Sequence, residues 1–233
     1  VSDVANRQTQ PIATVVLPGV ARISVLTGQR GAHDAFEIAS GDALTFAADG
    51  DTTHPAESGM ESDGNQARLE NLEGVVTIEN LAEQSITFVR RKGRATLNVG
   101  QLFKVGDQTL RVVDIDEDRP FTWKDGTQLF TSPRRKGTFA VQQIIAGGII
   151  GASASSSDDV VAIGAQNSTL LLGHAPTVSS AHAIVRRSED GKLTLEDNNA
   201  LNGVYVAMTD KEALESGALF WVGSQLMRLD ITA

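Results

Sequence analysis

The chain has 233 residues, of which 41% are hydrophobic and 21% charged, enough to fill two ordinary domains with a packed interior. Cysteine is absent, which excludes disulfide frameworks, cysteine-ligated zinc and thiol catalysis and fits a cytoplasmic address. A net charge of −9 opposes nonspecific binding to nucleic acid.

Residues 1–11, VSDVANRQTQP, lack the charged-then-apolar pattern of a signal peptide and read as a loose leader. Residues 48–66, ADGDTTHPAESGMESDGNQ, hold turn formers and almost no apolar residue, so a long exposed loop is expected; its carboxylates do not meet the Asp-x-Asp-x-Asp-Gly pattern of a calcium loop. ITFVR (86–90) and LRVVDI (110–115) have the composition and length of strands. The basic clusters Arg90-Arg91-Lys92-Gly93-Arg94, Arg134-Arg135-Lys136 and Arg186-Arg187 sit at turn-like positions and read as solvated turns or as one contact for an acidic partner.

Residues 115–136 are rich in charge, Pro and Gly and read as a linker. Phe121, Trp123, Leu129 and Phe130 within it would cost about 1.5 to 3 kcal/mol each to leave wet, so this linker is expected to pack on the sandwiches it joins. Then come FAVQQI (139–144) and IIAGGIIGA (144–152), the longest apolar stretch. It falls far short of the roughly 20 residues that a membrane span requires. LTLED (193–197) and VYVAM (204–208) are further strands, and TDKEALES (209–216) is the one short helical possibility.

The C-terminal half repeats the N-terminal half. Shifted by 117 positions, residues 194–228 fall on 77–111 without a gap, with 11 identities in 35 positions, mostly apolar residues at alternate positions and turn glycines. The expected fold is therefore all-β, two consecutive β-sandwiches at 12–114 and 137–232 joined by the partly packed linker.

Three residues invite a catalytic reading: Ser179, His182 and Asp197 could form a nucleophile, base and orienter, but no Gly-x-Ser-x-Gly elbow accompanies them. The four histidines, His33, His54, His174 and His182, do not share ligand spacing on one element, so neither a metal nor a cofactor is expected.

Ile163-Gly164 in AIGAQNS, Ser179-x-x-His182 in PTVSSAHAIV, and Asp197, Asn202 and Gly203 in LEDNNALNGVYV together resemble the forkhead-associated (FHA) domain, and LESGALFWVGSQLMRL resembles that family's final hairpin. The resemblance implies a β-sandwich whose loops at one end typically recognise phosphothreonine peptides. It implies Ser179, Ser180, Leu201 and Asn202 at the ligand edge, Gly164, His182 and Gly203 as struts of the loops, and His182 as an internal brace. Ala165 stands where the family carries a phosphate-binding arginine, Ser180 where a basic residue is common, and Leu201 where Thr or Ser is common. The first copy departs further: Ala48, Ser62, Asn65, Ser85 and Ile86 fall on Ala165, Ser179, His182, Asn202 and Gly203.

The resulting expectation is a non-enzymatic, cytoplasmic, bacterial adaptor or scaffold that binds a protein or peptide, phosphorylated or not, through the loop end of the second copy, with weakened or lost phosphothreonine dependence. The alternatives are a phosphothreonine reader in bacterial Ser/Thr kinase signalling and a structural protein that assembles with copies of itself. No nucleic acid or membrane partner is expected, and an oligomer is open.

Overall fold

The computed structural model describes residues 19–26, 35–49, 52–55, 64–83, 87–115, 124–127, 138–155 and 158–232. Their strands are β1 (Ala21–Val25), β2 (Ala35–Ile38), β3 (Ala43–Asp49), β4 (Thr52–Pro55), β5 (Asn65–Leu72), β6 (Val75–Asn80), β7 (Thr87–Arg91), β8 (Arg94–Leu97), β9 (Leu102–Val105) and β10 (Gln108–Asp114). They continue as β11 (Phe139–Ile145), β12 (Ile149–Ser155), β13 (Val160–Gly164), β14 (Leu170–Leu171), β15 (Ala183–Arg187), β16 (Leu193–Asp197), β17 (Val204–Ala207), β18 (Glu212–Leu214), β19 (Leu219–Val222) and β20 (Gln225–Ile231). Among the described residues no helix is long and apolar enough to cross a membrane.

The strands form one ten-stranded sheet, β12-β11-β10-β9-β17-β7-β19-β20-β1-β2, and two five-stranded sheets, β14-β13-β15-β16-β8 and β18-β6-β5-β3-β4. Period-two alternation turns Ile23, Val89, Phe220, Met227 and Leu229 into one core and Phe103, Leu110, Val141, Val185 and Val206 into another. The molecule is thus two sandwiches sharing one long sheet.

The sheets do not group the strands as the repeat boundaries 12–114 and 137–232 would. β1 to β7 build sandwich one, the chain crosses at Lys92-Gly93, and β8 to β17 build sandwich two; the chain then returns at 208–211, and β18 to β20 complete sandwich one. Each copy therefore hands its last three strands to the other. The pairing is reciprocal down to the residue: Val206 faces Phe103 as Val89 faces Phe220, and Val89 and Val206, equivalent under the shift of 117, face each other across β7 and β17.

Residues 115–136, expected between two domains, instead connect neighbouring strands of one sandwich, since Asp114 of β10 lies opposite Phe139 of β11. Phe121, Trp123, Leu129 and Phe130 lie outside the described residues, as does the leader 1–11. The stretch 48–66 is not all loop. β4 pairs there with β3, Thr52 opposite Asp49, and β5 begins at Asn65. TDKEALES is not helical either, because Glu212–Leu214 form β18 against β6.

The middle of the long sheet is apolar on both faces. On the face away from the cores, Phe88 and Trp221 of sandwich one meet Tyr205 and Ala207 of sandwich two, with Tyr205 and Trp221 edge to face at 6.1 Å. Lys104 is buried among them, its Nζ 5.1 Å from the Phe88 ring centre and 4.9 Å from that of Trp221, donating to Thr109 Oγ1 at 3.0 Å. Burial pulls its pKa down to about 8, against the opposing pull of Asp107. At the crossings the Arg91 guanidinium and Glu212 carboxylate form a two-pronged pair.

Candidate functional site

One end of sandwich two gathers the segments 165–169, 172–182 and 198–203. His182 ties them together. Its ring is fully buried; Nδ1 accepts the Ser179 N–H at 3.0 Å, which leaves the proton on Nε2 for donation to the Gly203 carbonyl at 2.9 Å. Burial is the main cause that lowers its pKa, so the neutral ring is the form that fits. Both ring nitrogens are engaged with backbone, and Asp197 Oδ1 accepts the Ala200 N–H at 3.0 Å, so Ser179, His182 and Asp197 do not form a proton relay.

Gly164 is required by close approach, since a Cβ there would lie 2.2 Å from the Ser180 carbonyl oxygen. That approach lets Ala165 N–H donate to Ser179 O at 2.9 Å and Gln166 N–H to Ser180 O at 3.1 Å. Gly203 has φ +67°, and a Cβ would meet the Arg90 guanidinium at 2.5 Å. The Asn202-Gly203 turn is not a hairpin, because β16 and β17 belong to different sheets and the turn carries the chain from one to the other.

Each expected ligand-edge residue has a defined place. Ser180 and Leu201 are exposed, Leu201 at 86%, while Ser179 and Asn202 are half-buried. Asn202 spends one amide hydrogen on the Thr177 carbonyl at 2.7 Å, so it braces the neighbouring loop as well as facing outward. Ala165 is half-buried, its methyl packed on the core of sandwich two.

Two contributors were not foreseen from the sequence, and both come from the first copy. The β9–β10 turn supplies Asp107, whose N–H donates to Thr177 Oγ1 at 3.2 Å and whose carboxylate accepts the Thr177 hydroxyl, while Gly106 N–H reaches Gly203 O at 3.3 Å. Arg90, alternating with Phe88 on the outer face of the long sheet, packs its guanidinium on Gly203. No local signal marks Asp107, which lies 70 positions from Thr177, and Arg90, noted only within a basic cluster read as a solvated turn or an acidic-partner contact, lies on β7. Among the described residues, no group of three His, Asp or Glu could hold a metal ion. A cleft of about 890 Å³ lies elsewhere, between the sandwiches at the crossings, lined in part by Arg91, Lys92, Arg94, Lys211 and Glu212.

The FHA domain family model matches residues 150–223. The match runs from β12 into β19 and so spans strands of both sandwiches. Two solved structures are similar. One is Mycobacterium tuberculosis EmbR in complex with a low-affinity phosphopeptide, 20% identical over 48% of this chain and 27% of that one, with a TM-score of 0.25. The other is the FHA domain of the CT664 protein from Chlamydia trachomatis, 22% identical over 38% of this chain and 93% of that one, with a TM-score of 0.23. The match thus spans about a quarter of the length of the EmbR chain. No curated protein matches.

Proposed function

We propose that the loop end of sandwich two docks a protein or peptide and grips it with neutral donors, without need of a phosphate. The FHA domain match supports an interaction module in place of an enzyme. The observation that carries the reading is the charge of the loops: neither 160–185 nor 198–203 contains a Lys or Arg. A phosphothreonine approaches a dianion at neutral pH and is held by cations, each charge-assisted hydrogen bond contributing about 1.5 to 3 kcal/mol. Here the Ser179 and Ser180 hydroxyls and the free side of the Asn202 amide face the ligand, with Leu201 as an apolar contact. Arg90, the cation next to these loops, lies on β7 outside them and packs its guanidinium on Gly203 with Nε buried. In this reading the chain is a cytoplasmic adaptor made of two FHA-like copies, the first too divergent at its own loops to do more than serve as a platform.

Calorimetry with a phosphothreonine peptide library and the same peptides unmodified tests it. Equal affinity for both forms is expected, and Ala165→Arg should create a preference for phosphate of about tenfold. A preference of that size in the unaltered chain would overturn the reading.

A further inference from the structure

The six outer edges of the three sheets differ in how they are guarded against pairing with another chain. β2 is four residues long and carries Glu37; β4 ends in Pro55; β8 carries Arg94; β14 has two residues; β18 has three and carries Glu212. Charge, proline and brevity are the ordinary means of blunting a strand edge. β12, Ile149–Ser155, has none of them: it is seven residues of Ile, Gly, Ala and Ser. Its one guard is a bulge, where Gln143 Oε1 takes the Ala152 N–H at 3.1 Å, and this leaves Ser153–Ser155 in plain register with β11.

The surroundings of β12 are equally unguarded. From residue 137 to 185 the only Asp, Glu, Lys or Arg residues are Asp158 and Asp159, in a chain of net charge −9. Those two lie at the far end, where Asp159 O accepts the Arg187 N–H at 2.9 Å. At the near end Ile145, Ile149 and Ile150 stand 44%, 61% and 48% exposed on the β11–β12 turn, and Leu171 of β14, against which β12 lies, is 56% exposed. An apolar patch next to a strand edge that no described strand pairs has the composition of an interface centre.

We propose that β12 is a self-association edge: a second copy of this chain pairs its own β12 antiparallel to it, joining two ten-stranded sheets and covering Ile145, Ile149, Ile150 and Leu171. The occupant follows from charge. Two copies at −9 repel each other over most of their surface, and β12 itself and the isoleucines at its near end add no charge to that repulsion. An antiparallel strand pair about a two-fold axis uses the same edge of both copies, and with no charge in the strand no like charges meet across it. Because Gln143, near the end of β11, bonds Gln108 beside the Asp107 turn at 2.7 Å, the apolar tip lies at the loop end of sandwich two, and the dimer sets two loop ends near each other.

Sedimentation equilibrium of the full chain should give a mass that doubles with concentration, and added salt should strengthen the dimer by screening the net charge. Ser153→Lys, at an exposed edge position, should leave a monomer, while Ala35→Lys on the guarded β2 edge should leave the dimer intact. Hydrogen exchange of the unaltered chain reads the same contact without a substitution: the amides of 149–155 should gain protection as the concentration rises. A monomer at every concentration overturns the proposal, and so does a dimer that survives Ser153→Lys or forms with the β12 amides unprotected.

Discussion

Sandwich two is built from one unbroken stretch, β8 to β17, whereas sandwich one needs two stretches that lie more than 100 residues apart, β1 to β7 and β18 to β20. The sequence repeat and the folding unit are therefore different objects in this molecule. A chain ending at residue 207 loses Phe220, Val222, Met227 and Leu229 from the core of sandwich one but nothing from that of sandwich two. Met208 and Leu214 of that core go with them, and at about 2 to 5 kcal/mol for each large side chain the loss matches or exceeds the roughly 5 to 15 kcal/mol that hold a domain together. The expected outcome is loss of amide protection over β1 to β7 with protection kept over β8 to β17, and a fragment 94–207 that folds alone. Protected β1 to β7 amides in the truncated chain would show that the exchange is not what completes sandwich one.

A smaller effect separates the two loop ends. Sandwich two has the His182 brace, and the shift of 117 puts Asn65 of β5 at that position in the first copy. His182→Ala strands the Ser179 N–H, leaves the Gly203 carbonyl only the Gly106 N–H, and opens a void, which should cost about 2 to 4 kcal/mol. The loss should appear in chemical denaturation and in exchange of the 165–182 amides, with sandwich one untouched. Because the folded pKa of His182 is depressed, the folded chain binds fewer protons than the unfolded one just below the ordinary value of 6.5. Stability should therefore fall as pH drops through that range, and His182→Ala should flatten the fall.

A third effect lies at the seam and shows only at alkaline pH. With its pKa drawn down to about 8 from 10.5, Lys104 holds fewer protons in the folded chain between those values, so stability should rise as pH increases from about 8 toward 10.5. Lys104→Met should remove that rise. Thermal melts across the range would check it, and an unchanged slope would mean that the amine is better solvated than its ring contacts imply.

Much of this architecture was legible in the sequence. Short apolar runs such as Phe88-Val89, Tyr205-Val206 and Leu219-Phe220 mark strands, here packed on both faces, and the family resemblance points to His182 as a brace. The exchange was not legible, for a physical reason: Phe103-x-Val105 and Phe220-x-Val222 present the same apolar face, so local pattern cannot say which core each hairpin enters. Geometry at the crossings decides it, and that geometry is tertiary. The same blindness hid Lys104, since a lysine at an alternate position reads as solvent-facing until an aromatic from the other copy is laid over it. The segment 209–216 misled through propensity, because Glu, Ala and Leu favour helix until an open edge at β6 recruits them.

Residues 20 and 232 sit side by side, the Thr232 N–H bonded to the Val20 carbonyl at 3.0 Å, with β1 and β20 running antiparallel away from them. Tension drawn between those two points loads one hydrogen bond at a time and peels the strand pair like a zipper, at low force. The inserted sandwich hangs outside that line of pull, so its braced loop end would keep its shape while the body that carries it is torn open.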